Sequence, residues 1–243
     1  MRELAQVCKG QPPEPRGPLY SSVVEYLQKV PVAHSRQYWK DIMAGIRPCI
    51  FPQRDVEALQ QKPLHVASIS LTRVMTLKKF CARNKLTMGN VFEVAWGLVL
   101  KRHTNSDDVC FGTLVSGRDL PIPEIQDMVG SFFNLLCARL HFNSQSSVLD
   151  VLQQNQREIG NRLSHQHYPL TESIRLSDHY GRRLFNTCIS MEQGLSSGVG
   201  ENGLRFKELS THEPTEVNSQ DSVQWHNEAN LRSSMISSLP SSP

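Results

Sequence analysis

Three groups of residues in this 243-residue chain have types and spacings that could do chemistry. His103-Thr-Asn-Ser-Asp107 has the HxxxD spacing in which an acidic residue holds a general-base histidine, as several acyltransferases do. Against that reading, Asp108 stands where a glycine usually follows, and the segment lies between a helix and a strand. A histidine near a helix C-terminus and an Asn-Ser-Asp-Asp turn occur there for ordinary reasons. His165-Gln166-His167 is the nearest approach to a metal motif. Two histidines at that spacing share a face only on a strand, and no third ligand lies nearby in sequence. A structural place at a loop or helix end is therefore expected, and no metal site is assigned. Asn134 and Arg139 interrupt the otherwise apolar run Phe132 to Leu140 and need hydrogen-bond partners if buried. No Gly-rich phosphate loop, GxSxG or HExxH occurs.

The elements that must position these residues alternate between helix and strand. Tyr20 to Val30 places Val23, Val24, Tyr26 and Leu27 on a helical face before Pro31, and a second helix over His34 to Met43 carries Tyr38, Trp39, Ile42 and Met43. HVASISL (65–71) has the period of a strand, and Thr76 to Asn84 returns to helix. Thr87 is expected to cap the next helix by accepting the Asn90 N–H. That helix is apolar over much of its circumference (Val91, Phe92, Ala95, Trp96, Leu98, Val99, Leu100), so it is expected to be central to the core. Asp108 to Val115 reads as a buried strand closed by Ser116-Gly117-Arg118-Asp119, and Phe132 to Phe142 as another. Val148 to Leu163 forms a helix with Val148, Leu149, Val151, Leu152, Ile159 and Leu163 inward. A third strand covers Leu184 to Met191, and Leu204 to Leu209 is a further strand candidate.

Composition narrows the class. With 26 Lys and Arg against 23 Asp and Glu the formal charge is only +3, and the basic residues are scattered, so nucleic acid is not implied. The six cysteines are widely separated and sit mostly in apolar runs, as buried reduced thiols do. No run approaches the roughly 18–20 apolar residues of a membrane span, and the first residues lack the apolar core of a signal peptide, so no membrane partner and a cytoplasmic location are expected. Residues 1–18 read as a flexible lead-in and 217–243 as a disordered tail, with one unit between them over 19–216.

Several segments, in order, resemble the second half of the condensation domain of fungal-type nonribosomal peptide synthetases. SRQYWKDIMAG is similar to the family's YW helix, and LTMGNVFEVAWGLVLKRHTNSDDVCFGTLVSGRD to its helix, DDVxFG strand and SGR turn. MVGSFFNLLCARL is similar to [IV]GxFxNTxxxR, with Val129, Gly130, Phe132, Asn134 and Arg139 matching and Leu135 in place of Thr. HQHYPL resembles HQDYP with His167 in place of Asp, and RRLFNTCISME and GLRFKELSTHEPTE resemble the strands that follow. The resemblance covers about Ser35 to Glu216. It then stops, as it would after a shifted frame or retained intron.

The resemblance implies an α/β fold: a single chloramphenicol-acetyltransferase-like lobe with a mixed sheet flanked by helices. It implies that Ser116, Gly117, Arg118, Gly130 and Asn134 line a substrate tunnel. The phosphopantetheine arm of a partner carrier protein would enter that tunnel, and no directly bound cofactor is expected. The family's HHxxxDG, whose second histidine is implied to assist attack of the acceptor amine on the donor thioester, is absent from the sequence. The expectation is a partial domain of secondary-metabolite peptide assembly that is inactive alone and pairs with an N-terminal lobe. A free-standing acyltransferase using His103 and Asp107, or a non-catalytic module that binds a carrier protein, are the alternatives.

Overall fold

The structure is a computed structural model that describes Gly10, residues 18–51 and 71–193, and the strand at 221–227. Two helices open it: α1 (Ser21–Lys29) and α2 (Val32–Met43), separated by Val30 and Pro31 in extended conformation. Proline fixes the backbone there and lacks the N–H a continuing helix needs. α2 buries Ser35, Trp39 and Met43, a spacing of four that puts all three on one face. α3 (Val74–Asn84) ends at Lys85 in the left-handed conformation, and α4 (Met88–Thr104) follows at once. The Thr87 hydroxyl accepts the Asn90 N–H as its cap.

β1 (Asp108–Val115) and β2 (Asn134–His141) pair antiparallel over their whole length, from Asp108 opposite His141 to Val115 opposite Asn134. α5 (Val148–Ser164) starts on a capping box in which Ser147 and Asp150 bond each other's backbone N–H. The short α6 (Leu170–Arg175) leads to β3 (Thr187–Gln193) and β4 (Asp221–Asn227). The four strands form one mixed sheet in the order β2-β1-β3-β4, with β3 parallel to β1 and β4 antiparallel to β3.

The main core lies where α2, α4 and α5 meet the sheet: Trp39, Met43, Leu100, Phe111, Leu136, Leu152 and Ile189 are all nearly inaccessible. Gly97 lets α4 press onto the end of β2, since a Cβ there would come within 2.9 Å of the Phe142 ring. A second, smaller core of Val23, Ile125, Met128 and Phe132 fastens α1 to the long connection between β1 and β2. Cys49, Cys81, Cys110, Cys137 and Cys188 are buried thiols outside any disulfide, as their apolar settings imply, whereas Cys8 lies outside the described residues. A hydrogen bond with Cys137, together with burial, pushes the Cys110 thiol well up from its ordinary value. No helix among the described residues is long and apolar enough to cross a membrane.

Several expectations need correction. Residues 221–227, within the stretch read as a disordered tail, pair with β3 from Thr187 opposite Asn227 to Gln193 opposite Asp221. Ser222-Val-Gln-Trp-His226 does alternate, but seven residues are too few to reveal a strand that a neighbouring edge stabilises. The rest of 217–243, HVASISL apart from Leu71, Leu204 to Leu209, and nearly all of 1–18 lie outside the described residues. Val148 is 65% exposed rather than inward, because it occupies the first position of α5, beyond the sheet. Leu98 and Val99 are about two-fifths exposed, so α4 gives only one face to the core.

Candidate functional site

Five of the residues that carry the resemblance, Gly117, Arg118, Gly130, Phe132 and Asn134, lie toward one end of the sheet, where the turn after β1, the approach to β2 and the segment after α5 meet. Gly117 has φ +63°, and a Cβ on it would run into the Phe132 carbonyl oxygen, so the turn presses directly on the segment entering β2. A left-handed residue in so close a contact calls for glycine. Gly130 is also constrained, since a side chain there would collide with the Tyr20 ring. Tyr20 in turn donates its hydroxyl to the Ser131 carbonyl at 2.6 Å and packs edge-on against Phe132.

Arg118 folds back over the loop it precedes. Its Nη1 donates to the carbonyls of Ile125 at 2.6 Å and Met128 at 3.1 Å, and the guanidinium lies 4.1 Å from the centre of the Phe132 ring. The Ser116 hydroxyl accepts the Arg118 N–H at 3.5 Å. Asn134 donates its side-chain amide to the Gln166 carbonyl while its Oδ1 accepts the Leu135 N–H at 2.9 Å. Gln166, itself buried, donates to Asp119 at 2.9 Å. Asp119, Gln166 and Asn134 thus join the turn, the post-α5 segment and β2. Sequence reasoning placed Asn134 here and missed Asp119 and Gln166, which nothing in their own short patterns distinguishes.

His165 and His167 bracket that link and share one partner. The buried Ser35 hydroxyl lies 3.0 Å from His165 Nδ1 and 3.3 Å from His167 Nε2, while the His165 ring stacks on Tyr38 and its carbonyl accepts Trp39 Nε1–H at 3.1 Å. A serine between two imidazoles donates to one and accepts from the other. Burial holds both histidines below their ordinary range, helped at His165 by the charges of His167 and His34. Burial likewise pushes Tyr38 up to about 12, against the pull of Arg162. With Ser35 only 3% exposed, this is a helix-end lock and not an accessible nucleophile.

Arg139 makes a bidentate ion pair with Asp108 at 2.8 and 2.6 Å and donates to the carbonyls of Ile42 and Ala44, binding the end of α2 to the sheet. Structural satisfaction accounts for all of its donors seen here. His103 and Asp107 are not brought together. Lys101 takes the Asp107 carboxylate, holding it below the usual carboxylate range, and the His103 ring packs 4.9 Å from Phe51.

Behind the sheet lies a buried polar lattice that sequence reasoning missed. Arg162 on α5 reaches both oxygens of Glu93 on α4 at 2.8 Å, and Thr113 of β1 and Asn155 each donate to Glu93 at 3.1 Å. Asn90 accepts from Asn155 at 2.9 Å and donates to the Leu152 carbonyl at 2.7 Å. The available signal was period: Asn155 and Arg162 lie seven apart on the face that Leu152 also occupies, and Glu93 stands in an apolar run.

A mixed sheet with helices packed on it, its strand ends tied to a glycine-pinned turn, is a chloramphenicol-acetyltransferase-like lobe. The Condensation domain family model matches residues 1–230, beyond both ends of the stretch over which the motifs resemble that family. The chain is 38% identical over 210 residues to the nonribosomal peptide synthetase ungA' of Aspergillus campestris, covering 82% of this chain and 2% of that protein. It is 36% identical over 215 residues to the synthetase dtpA of Aspergillus flavus, covering 84% and 8%. The starter condensation domain of rhizomide synthetase RzmA superposes with a TM-score of 0.57 at 23% identity, over 76% of this chain and 43% of that one. The chain belongs to the condensation-domain family of nonribosomal peptide synthetases and spans only a small fraction of the relatives' length.

Proposed function

We propose that this chain supplies the wall-and-floor half of a condensation domain in secondary-metabolite peptide assembly, and that it forms no amide bond by itself. Coupling joins the amine of a carrier-bound aminoacyl thioester to the carbonyl carbon of another. The C–N bond forms, the C–S bond breaks, and a proton must leave the amine and reach the departing thiolate. A base positioned at the amine lowers that barrier, and family members supply it through a motif absent from this sequence.

One observation carries the reading: the polar side chains of the face that bears the family motifs are already engaged within the chain. Arg118 holds loop carbonyls, Asn134 holds Gln166 and Leu135, and the two histidines share Ser35. Ser116, Gly117, Arg118, Gly130 and Asn134 would then give a tunnel its shape, and the phosphopantetheine arms of partner carrier proteins would bring the reacting groups to it.

The test combines the purified chain with a separately expressed N-terminal condensation lobe bearing HHxxxDG, a donor-loaded and an acceptor-loaded carrier protein, and follows the acceptor carrier by mass spectrometry. Product is expected only when both lobes are present. Turnover by the chain alone that is lost in His103→Ala or His167→Ala would refute the proposal in favour of a self-contained acyltransferase. Carrier capture with no product in the paired reaction would favour a binding module.

A further inference from the structure

A cavity of about 530 Å³ opens between α1, α2 and α6, in the size range of small-molecule sites, roughly 300–1,000 Å³. It is separate from the turn and strand ends described above, although His167 forms part of its wall. Helical spacing builds the rest. Val32 and Arg36, four apart on α2, face Glu172, Arg175 and Leu176 from α6 and the following residue, with Leu27 of α1 closing one side.

The charges in this cavity are unequal. Arg175 is paired with Glu172 at 2.6 Å and lies 5.4 Å from the centre of the Tyr180 ring. The Arg36 side chain makes no hydrogen bond or ion pair with any described residue. Among the described residues the lining therefore carries one unpaired guanidinium beside an apolar surface of Leu27, Val32 and Leu176. A guanidinium presents paired N–H donors in a plane, matching a carboxylate, and the apolar wall gains from covering a hydrocarbon body. A single available cation does not match the charge of a polyphosphate, and a cationic ligand would meet net positive charge.

We infer that this cavity binds a small organic monoanion, a carboxylic acid with an aliphatic or aryl body, its carboxylate on Arg36 and its apolar part against Leu27, Val32 and Leu176. The inference is independent of amide chemistry: it concerns a site on one lobe and needs neither carrier protein nor second lobe.

Isothermal titration of the full 243-residue chain with octanoate tests it, with octylammonium and inorganic phosphate as comparison ligands. Octanoate is expected to bind saturably at one site, and the other two at least tenfold more weakly. Arg36→Leu, which removes the charge from an exposed side chain, is expected to weaken octanoate at least tenfold with an unchanged circular dichroism spectrum. Arg36→Lys is expected to retain part of the affinity, and Leu176→Asp to lose it from the apolar side. No saturable octanoate binding, equal affinity in Arg36→Leu, or octylammonium binding as tightly as octanoate would each overturn the inference.

Discussion

Replacing Arg162 with leucine removes the cation from a buried carboxylate while leaving a side chain that fills much of the space. Arg162 is 4% exposed and Glu93 6%, and one guanidinium nitrogen bridges both carboxylate oxygens at 2.8 Å. Removing one partner of a buried pair costs about 3–5 kcal/mol, because the remaining charge stays desolvated. Thr113 and Asn155 still donate to Glu93 in the variant, which places the loss near the lower end, about 3 kcal/mol. For a domain of this size each kcal/mol moves the melting midpoint by about 2–4 °C, so the midpoint should fall by about 6–12 °C. Circular dichroism at 222 nm during thermal and urea unfolding measures both quantities. The double variant Glu93→Gln/Arg162→Leu removes both charges, and the introduced glutamine can still accept from Thr113. The double variant should therefore recover at least half of the loss. A single variant within about 1 kcal/mol of the parent, or a double variant no better than the single, would refute the argument that an unpaired buried charge governs this region.

Gly117→Ala should destabilise the chain by about 2 kcal/mol or more, whereas Gly45→Ala, also left-handed but facing open space, should cost only about 1–2 kcal/mol; equal losses in urea titrations would show that the Phe132 carbonyl does not crowd position 117. Because His165 and His167 titrate below their unfolded value, near 6.5, the unfolded chain binds protons that the folded one refuses as pH falls. Stability is thus full above that value and is lost as pH drops through the folded-state values, so the melting midpoint should decline between pH 7.5 and 5 and His167→Asn should flatten the decline; a midpoint that rises on acidification contradicts the assignment. Thr87→Ala removes the α4 cap and the hydroxyl that donates to Gln156, and should cost about 1 kcal/mol in the same unfolding assay, with no change counting against the cap.

What the sequence made legible follows from how local each feature is. The Thr87 cap, the extent of α4 and the β1 strand depend on residues a few positions apart, and the structure forms them where spacing places them. The glycine-bearing turn was legible for the same reason. The connection of 118–132 was not, because its order comes from Arg118 reaching seven to ten residues ahead and from Val23 of α1 covering it. The buried lattice is harder still: Glu93, Asn155 and Arg162 look like solvent residues until the tertiary fold brings Asn155 and Arg162 within 3.1 Å of the Glu93 carboxylate. β4 depends on an edge of β3 that no local pattern advertises.

The way the polar residues are satisfied bears directly on what this face can contribute to chemistry. A side chain that relays a proton needs a lone pair or an N–H directed at the reacting atoms, and a change in its protonation must not break the structure that holds it. Arg118 offers only donors, and they close the loop on itself. Asn134 does not titrate, and its amide ties β2 to the segment after α5. His165 and His167 do titrate, but protonating either one changes the donor and acceptor pattern at Ser35 and loads charge into a site from which burial excludes it. Each group near the face is therefore suited to holding a rigid wall in place and poorly suited to moving protons. This division of labour fits the proposed two-lobe arrangement, in which a separate histidine-bearing lobe would move the proton without disturbing the wall against which the substrates would be held.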